Sequence, residues 1–127
     1  MANKPTLRER ASQRVCPNCG GEPQRKSPKG PVPTYCDDKC KVQMNNRLTA
    51  EGRTLAGLLK AWRIDRGQGE IAQRAFSQIC EITDGFNAVD LAAGRPRADL
   101  YAAKLMADGS RYLDRQRQPV HSKEASA

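Results

Sequence analysis

Aromatic residues are scarce in this chain: one Trp, three Tyr and two Phe make up 5% of its 127 residues. That scarcity excludes a core built around rings. It also places single-strand binding by stacked bases behind contact with phosphates or groove edges. There is a single histidine, His121, in an apolar-poor C-terminal stretch. A histidine-dependent metal nuclease or a Cys–His nucleophile pair therefore lacks its base. No Gly-rich phosphate cradle and no arguable carboxylate pair is present either, so the chain does not read as an enzyme. No apolar run approaches the roughly 18 residues of a membrane span, so no membrane partner is expected. The first fourteen residues carry four Lys or Arg and no apolar stretch, unlike a secretion signal. The expected setting is a reducing cytoplasm, that of a bacterium or a phage-infected host.

What is present is positive charge, unevenly placed. The formal net charge is +8. Residues 1–66 hold 14 Lys or Arg against 6 Asp or Glu, whereas residues 67–127 hold 8 of each. One-sided basic charge favours phosphate-rich or acidic partners. The mean hydropathy of −0.76 is low for a globular chain, but the apolar content of 38% is too high for disorder throughout.

The cysteines carry the sharpest signal. Cys16-Pro17-Asn18-Cys19-Gly20 precedes Cys36-Asp37-Asp38-Lys39-Cys40, with sixteen residues between Cys19 and Cys36. Four thiolates at about 2.3 Å suit a tetrahedral zinc ion. Pro17 restricts the first turn, and Gly20 admits a left-handed residue after it. Cys36 and Cys40, four apart, share a face at a helix start, where the partial positive charge of the helix end favours thiolates. Two disulfides fit poorly with an odd cysteine count and no secretory signal. A redox pair or an iron–sulfur cluster is the other reading, but separate pairs flanking a turn-rich loop fit zinc better. Four protein ligands leave no open coordination position, so one structural Zn2+ per chain is expected at Cys16, Cys19, Cys36 and Cys40. The fifth cysteine, Cys80, sits beside an apolar stripe and reads as packing.

Residues 1–14 read as a flexible basic arm. Gly21–Pro33 holds four prolines and two glycines and reads as an irregular loop or a short hairpin. From Asp37 the pattern turns helical, with Met44, Leu48, Leu55, Leu58, Leu59 and Trp62 on one stripe. Gly52 and Gly57 weaken it, which predicts a break near Gly52. Ile71, Ala75, Ile79, Ile82 and Phe86 continue at helical spacing. Leu100, Tyr101, Leu105 and Tyr112 mark a further helix to about Gln116. The organisation expected is an arm over 1–14, a four-cysteine zinc finger over 15–47, a helical region over 48–118 and a disordered tail over 119–127.

Cys16-Pro17-Asn18-Cys19-Gly20 and Tyr35-Cys36-Asp37-Asp38-Lys39-Cys40-Lys41, ending in Asn46-Arg47, resemble the treble-clef zinc fingers of small bacterial and phage proteins. The DNA gyrase inhibitor-like fingers share a near-equal spacing and the CGNR-like fingers the Asn-Arg ending, although the CGNR tetrapeptide itself is absent, since Lys41-Val42 follow Cys40. Asp37 stands where these fingers carry Ser. The resemblance covers residues 15–47 and implies zinc at the four cysteines. It also implies a knuckle and a short hairpin followed by a helix carrying the second cysteine pair. The fold class expected is therefore mainly α, a small treble-clef finger followed by a compact helical region.

Two functions follow. In the first, the chain binds nucleic acid, DNA before RNA, as a regulatory protein. Arg25, Lys26 and Lys29, with Arg8, Arg10 and Arg14 of the arm, would hold phosphates. Lys39, Gln43, Asn46 and Arg47, near one face of the helix after Cys36, would meet base edges. In the second, the chain regulates or inhibits a DNA-handling enzyme such as gyrase or polymerase. The anchors would then come from Leu55, Leu59, Trp62, Phe86 and Tyr101, residues that also suit the domain's own core.

Overall fold

The computed structural model describes residues 4–108. The expectations for Tyr112, for a helix to Gln116, for His121 and for a disordered 119–127 tail lie outside them. The described elements are α1 (Leu7–Ala11), α2 (Asp38–Ile64), α3 (Glu70–Ala92) and α4 (Ala98–Ala107). The chain divides into two compact units. One runs from Arg14 to Ala98; the other joins residues 4–13 with residues 99–108.

The larger unit is a cysteine-rich loop region followed by a pair of long helices. Asp37 starts α2: its carboxylate accepts the Cys40 amide at 2.9 Å from an extended backbone. Asp is as competent an N-cap as the Ser usual in the resembled fingers, and its charge suits the positive helix end. α2 then runs 27 residues without interruption, through Gly52 and Gly57. The break expected near Gly52 is absent. Each glycine costs roughly 1 kcal/mol against alanine, less than tertiary packing along a whole helix face returns.

The helices α2 and α3 pack antiparallel across the loop 65–69. Trp62 and Phe76 meet near the loop with ring centroids 6.0 Å apart, and Arg47 and Asp90 pair at the far end. Positions 44, 48, 51, 55, 58 and 62 of α2, and 72, 75, 79, 82 and 86 of α3, recur at steps of three and four. All are buried or half-buried. This spacing keeps one seam on each helix facing the other. One member is charged, Glu51. Burial, and then the negative charge of Asp90, raises its carboxyl above the usual range, against the opposing pull of Arg47 and Arg95.

Both long helices end in a Schellman turn. After α2, the Gly67 amide reaches the Trp62 carbonyl and the Arg66 amide that of Arg63. Arg66 therefore takes the left-handed position, at φ 53°. Gly67 follows at φ 83°, and a Cβ there would stand 3.2 Å from the Trp62 indole nitrogen. After α3, Arg95 reaches the Asp90 carbonyl and Gly94 that of Leu91, with Gly94 at φ 72° in the position that favours glycine.

The hairpin expected of a treble clef is not formed: among the described residues there is no strand, so the anticipated knuckle and short hairpin are not seen, while the mainly α part holds. The physical reason lies in the spacer. Pro23, Pro28, Pro31 and Pro33 lack the amide donors that a strand ladder requires. The spacer instead folds irregularly, burying Pro23 and turning at Ser27–Gly30 through a 3.2 Å backbone bond.

In the smaller unit, α1 is one helical turn inside the stretch expected as an arm. Thr6 and Glu9 form a reciprocal capping box at its start. The Lys104 ammonium closes its far end, donating to the carbonyls of Ala11 at 2.9 Å and Gln13 at 2.7 Å, and Arg10 pairs with Asp99 at 3.1 Å. Burial, and then the Arg10 charge, lowers the Lys104 amine below its usual range. No described helix is long and apolar enough to cross a membrane.

Candidate metal centre

The four cysteines of the two motifs converge. The sulfurs of Cys16, Cys19, Cys36 and Cys40 all lie within 4.8 Å of one another, and those of Cys19 and Cys36 are 3.4 Å apart. Sulfurs about 2.3 Å from a tetrahedral ion stand about 3.8 Å from each other, so the cluster has the size of a four-thiolate metal site. All four cysteines are free of disulfides.

Local backbone chemistry builds each half. Around the first pair, the Cys16 amide donates to the Gly21 carbonyl at 2.7 Å and the Gly20 amide returns to the Cys16 carbonyl at 2.8 Å. Gly20 takes φ 83°, which a side chain would resist. At Gly21 the constraint is space: a Cβ would meet the sulfurs of Cys36 at 3.3 Å and Cys19 at 3.4 Å. The Gly21 amide also points at the Cys19 sulfur, 3.4 Å away. The second pair depends on α2, whose first turn carries Cys40 while Cys36 precedes the Asp37 cap.

The thiols compete for negative charge. Burial pushes the Cys16 thiol up, but hydrogen bonds from the amides of Cys19, Cys36 and Asn18 outweigh it and bring it down to about 7. Cys36 is pushed up to about 12, first by its hydrogen bond with Cys19, then by burial and the neighbouring sulfurs. Cys40 gains a lowering hydrogen bond from the Asn18 side chain, yet burial and the Cys19 and Cys16 sulfurs leave it raised. Four thiolates this close repel each other, and a bound cation reverses that logic by favouring deprotonation of the whole set. The donor set, four soft sulfurs at tetrahedral spacing, fits a structural metal ion of the zinc type.

A polar chain ties this turn to the helix pair. Asn18, between the first two cysteines, is 7% exposed. Its amide nitrogen donates to the Gln43 side-chain oxygen at 2.9 Å, and its oxygen accepts from the Arg47 guanidinium at 2.9 Å. Arg47, whose side chain is 19% exposed, continues to Asp90 of α3 at 3.9 Å, and Arg95 holds the same carboxylate oxygen at 3.0 Å. Asp90 lies near the C-terminus of α3, where the helix dipole disfavours an acid, and the two guanidiniums compensate it. Sequence reasoning did not single out Asn18, Asp90 or Arg95. The one readable signal was an uncompensated acid in the last turn of a helix that has no basic residue there.

The residues expected to meet nucleic acid fall into two sets. Arg25, Lys26 and Lys29 are exposed on the spacer loop, where Arg25 makes one bond, at 3.4 Å, to the Pro28 carbonyl. Lys39, Gln43 and Asn46 are exposed on α2, whereas Arg47 is half-buried and engaged internally. Cys80, expected in the packing, is exposed on α3. Its position lies one residue off the seam set by Ile79 and Ile82. Of the apolar anchors, Leu55, Trp62, Phe86 and Tyr101 are half-buried, while Leu59 is exposed. Neither a family model, nor a curated protein, nor a solved structure matches the chain.

Proposed function

We propose that this chain is a small zinc-stabilised, nucleic-acid-binding regulatory protein, with DNA preferred to RNA and no catalytic activity. The observation that carries the reading is the placement of Arg25, Lys26 and Lys29. All three are exposed on a loop whose two ends are cysteines of one metal-sized cluster. Metal binding would hold that loop closed and so reduce the ordering cost of presenting its cations to phosphates. The exposed Lys39, Gln43 and Asn46 on the first turns of α2 would add contacts beyond the backbone charge.

The test is fluorescence anisotropy of labelled DNA across salt concentrations. With about four to six phosphate contacts, log K against log[salt] should slope near −4 to −5 for a duplex. Alanine at Arg25, Lys26 and Lys29 should weaken binding to every sequence alike and flatten that slope. Binding weaker than the ordinary non-specific range at low salt, or indifference to the loop substitutions, would refute it.

A second reading, a regulator directed at a DNA-handling protein such as gyrase or polymerase, is favoured by the helix surfaces. Ile64, Ile71 and Leu91 are 78%, 74% and 81% exposed. Apolar side chains this open suit a protein partner. A partner retained after nuclease treatment of a pull-down would support this reading over the first.

A further inference from the structure

Between the cysteine turn and the ends of the two long helices lies an open recess of about 730 Å3. Asn18 and Cys19 form one wall, Gln43, Asn46 and Arg47 of α2 another, and Ala93, Gly94 and Arg95 the third. The volume is that of a small-ligand site, and its lining is unusual in having no aromatic residue and mostly planar polar groups.

The hydrogen-bond inventory narrows what fits. Asn18 is fully committed, its nitrogen to Gln43 and the Cys40 sulfur and its oxygen to Arg47. Gln43 accepts through its oxygen, which leaves its side-chain N–H groups as donors. Asn46 is exposed and enters none of the described side-chain bonds, so its amide offers both a donor and an acceptor. Arg47 and Arg95 line it with guanidinium groups that share one carboxylate, Asp90. A phosphate is a poor occupant. Asp90, the negative end of α3 and the sulfur of Cys19 all stand beside it, so the cationic excess is small. A flat heterocycle with a donor and an acceptor on one edge is a good one.

Resting on the nucleic-acid reading above, we infer that this recess receives a single unpaired adenine base, read by Asn46. An Asn amide matches the adenine N6 donor and N7 acceptor together. Guanidinium planes provide stacking where aromatics are absent, and unpaired bases are the ones able to leave a stack and enter a recess. The exposed Arg25, Lys26 and Lys29 then carry the phosphates. Base and backbone are thus held by different residues, and their contributions separate experimentally.

The experiment uses the full zinc-loaded chain and labelled twelve-nucleotide oligothymidylates carrying A, G, C or T at one central position. An A-containing strand should bind about ten-fold tighter than the all-T strand. Asn46→Ala and Asn46→Asp should abolish that preference while leaving the helical circular dichroism unchanged, because Asn46 supports no internal bond. A parallel 15N titration with AMP identifies the source of the base. Shifts of the Asn46 and Gln43 side-chain amides with AMP support a site that also takes free nucleotide; shifts with the A-containing strand alone support one specific to polymer. Equal affinity for the four strands, with a steep salt slope intact, overturns the recess while leaving the nucleic-acid reading standing. No binding to any strand or duplex at low salt overturns both. Retention of the A preference in Asn46→Ala likewise overturns the assignment.

Discussion

Replacing Asn18 by Ala removes one side chain and breaks its bonds to Arg47 and Gln43 together. The 2.9 Å bond from Arg47 is charge-assisted and set in a half-buried site, since the Arg47 side chain is 19% exposed. Such a bond contributes about 1.5–3 kcal/mol, and its loss strands part of the guanidinium away from water. The second bond, to Gln43, is neutral, and Gln43 is exposed, so water recovers most of its value. The net expectation is a loss of about 2–3 kcal/mol. For a chain of this size that lowers Tm by roughly 7–11 °C at fixed zinc concentration.

Two further readouts identify the cause. Asn18 is not a metal ligand, so one metal per chain should still bind. It does support the Cys40 thiolate, and a chelator competition should show affinity weakened about ten-fold, the scale of a lost outer-shell partner. In a double-mutant cycle with Arg47→Met, the coupling energy should be at least about 1 kcal/mol. A stability loss below about 0.5 kcal/mol, or additive effects of the two substitutions, would show that the Asn18–Arg47 link carries no energy and would refute the account of how turn and helices are joined.

Purification without chelator should yield one zinc per chain by elemental analysis; Cys36→Ser should abolish it and Cys80→Ser should leave it intact, because Cys80 is exposed on α3 and outside the cluster. Arg66→Gly should stabilise the protein by about 0.5–1 kcal/mol in chemical denaturation, since it relieves a left-handed backbone at φ 53° and the gain is reduced by glycine's freer unfolded state. Glu51→Gln should raise Tm at pH 7. The folded carboxyl titrates above its ordinary value, so its unfavourable effect is absent below about 4.5 and grows as pH rises through the folded pKa; the advantage of the variant should shrink as pH falls towards 4.5.

The metal cluster and the helix seams were legible because each rests on short-range spacing. Two thiols three apart in a Pro- and Gly-bounded turn, or four apart at a helix start, converge for local reasons, and only the sixteen-residue closure between the pairs required the fold. Apolar residues at steps of three and four declare most of a seam without reference to the partner helix, although Leu59 and Ile71, expected on it, are exposed and Ala72 takes the place of Ile71. Local reasoning failed where two local tendencies competed. Gly52 and Gly57 argued for a break, but α2 is capped by Asp37 at one end and packed along its seam, so both glycines are carried within it. The spacer suggested a hairpin by family resemblance, yet its four prolines withhold the donors a hairpin needs. At Cys80, one position of helical phase decided between packing and exposure.

The polar chain from Asn18 through Arg47 to Asp90 and Arg95 was illegible for a different reason: its members are brought together only by the packing of the cysteine turn on α2 and the antiparallel return of α3. Its consequence reaches the functional reading. Gln43 and Arg47, two residues whose types suit base recognition, take part in joining the cysteine turn to the helices, whereas Asn46, one residue before Arg47 in the same helix, is left without an internal role. A surface residue with both amide functions open costs the fold nothing to present, and a neighbour already held in place positions it. The two groups should therefore separate cleanly on substitution. Changes at Asn18 or Arg47 should be read first in stability, and changes at Asn46 in ligand preference alone. A variant of Asn46 that melted early, or one of Asn18 that altered only binding, would reverse that division.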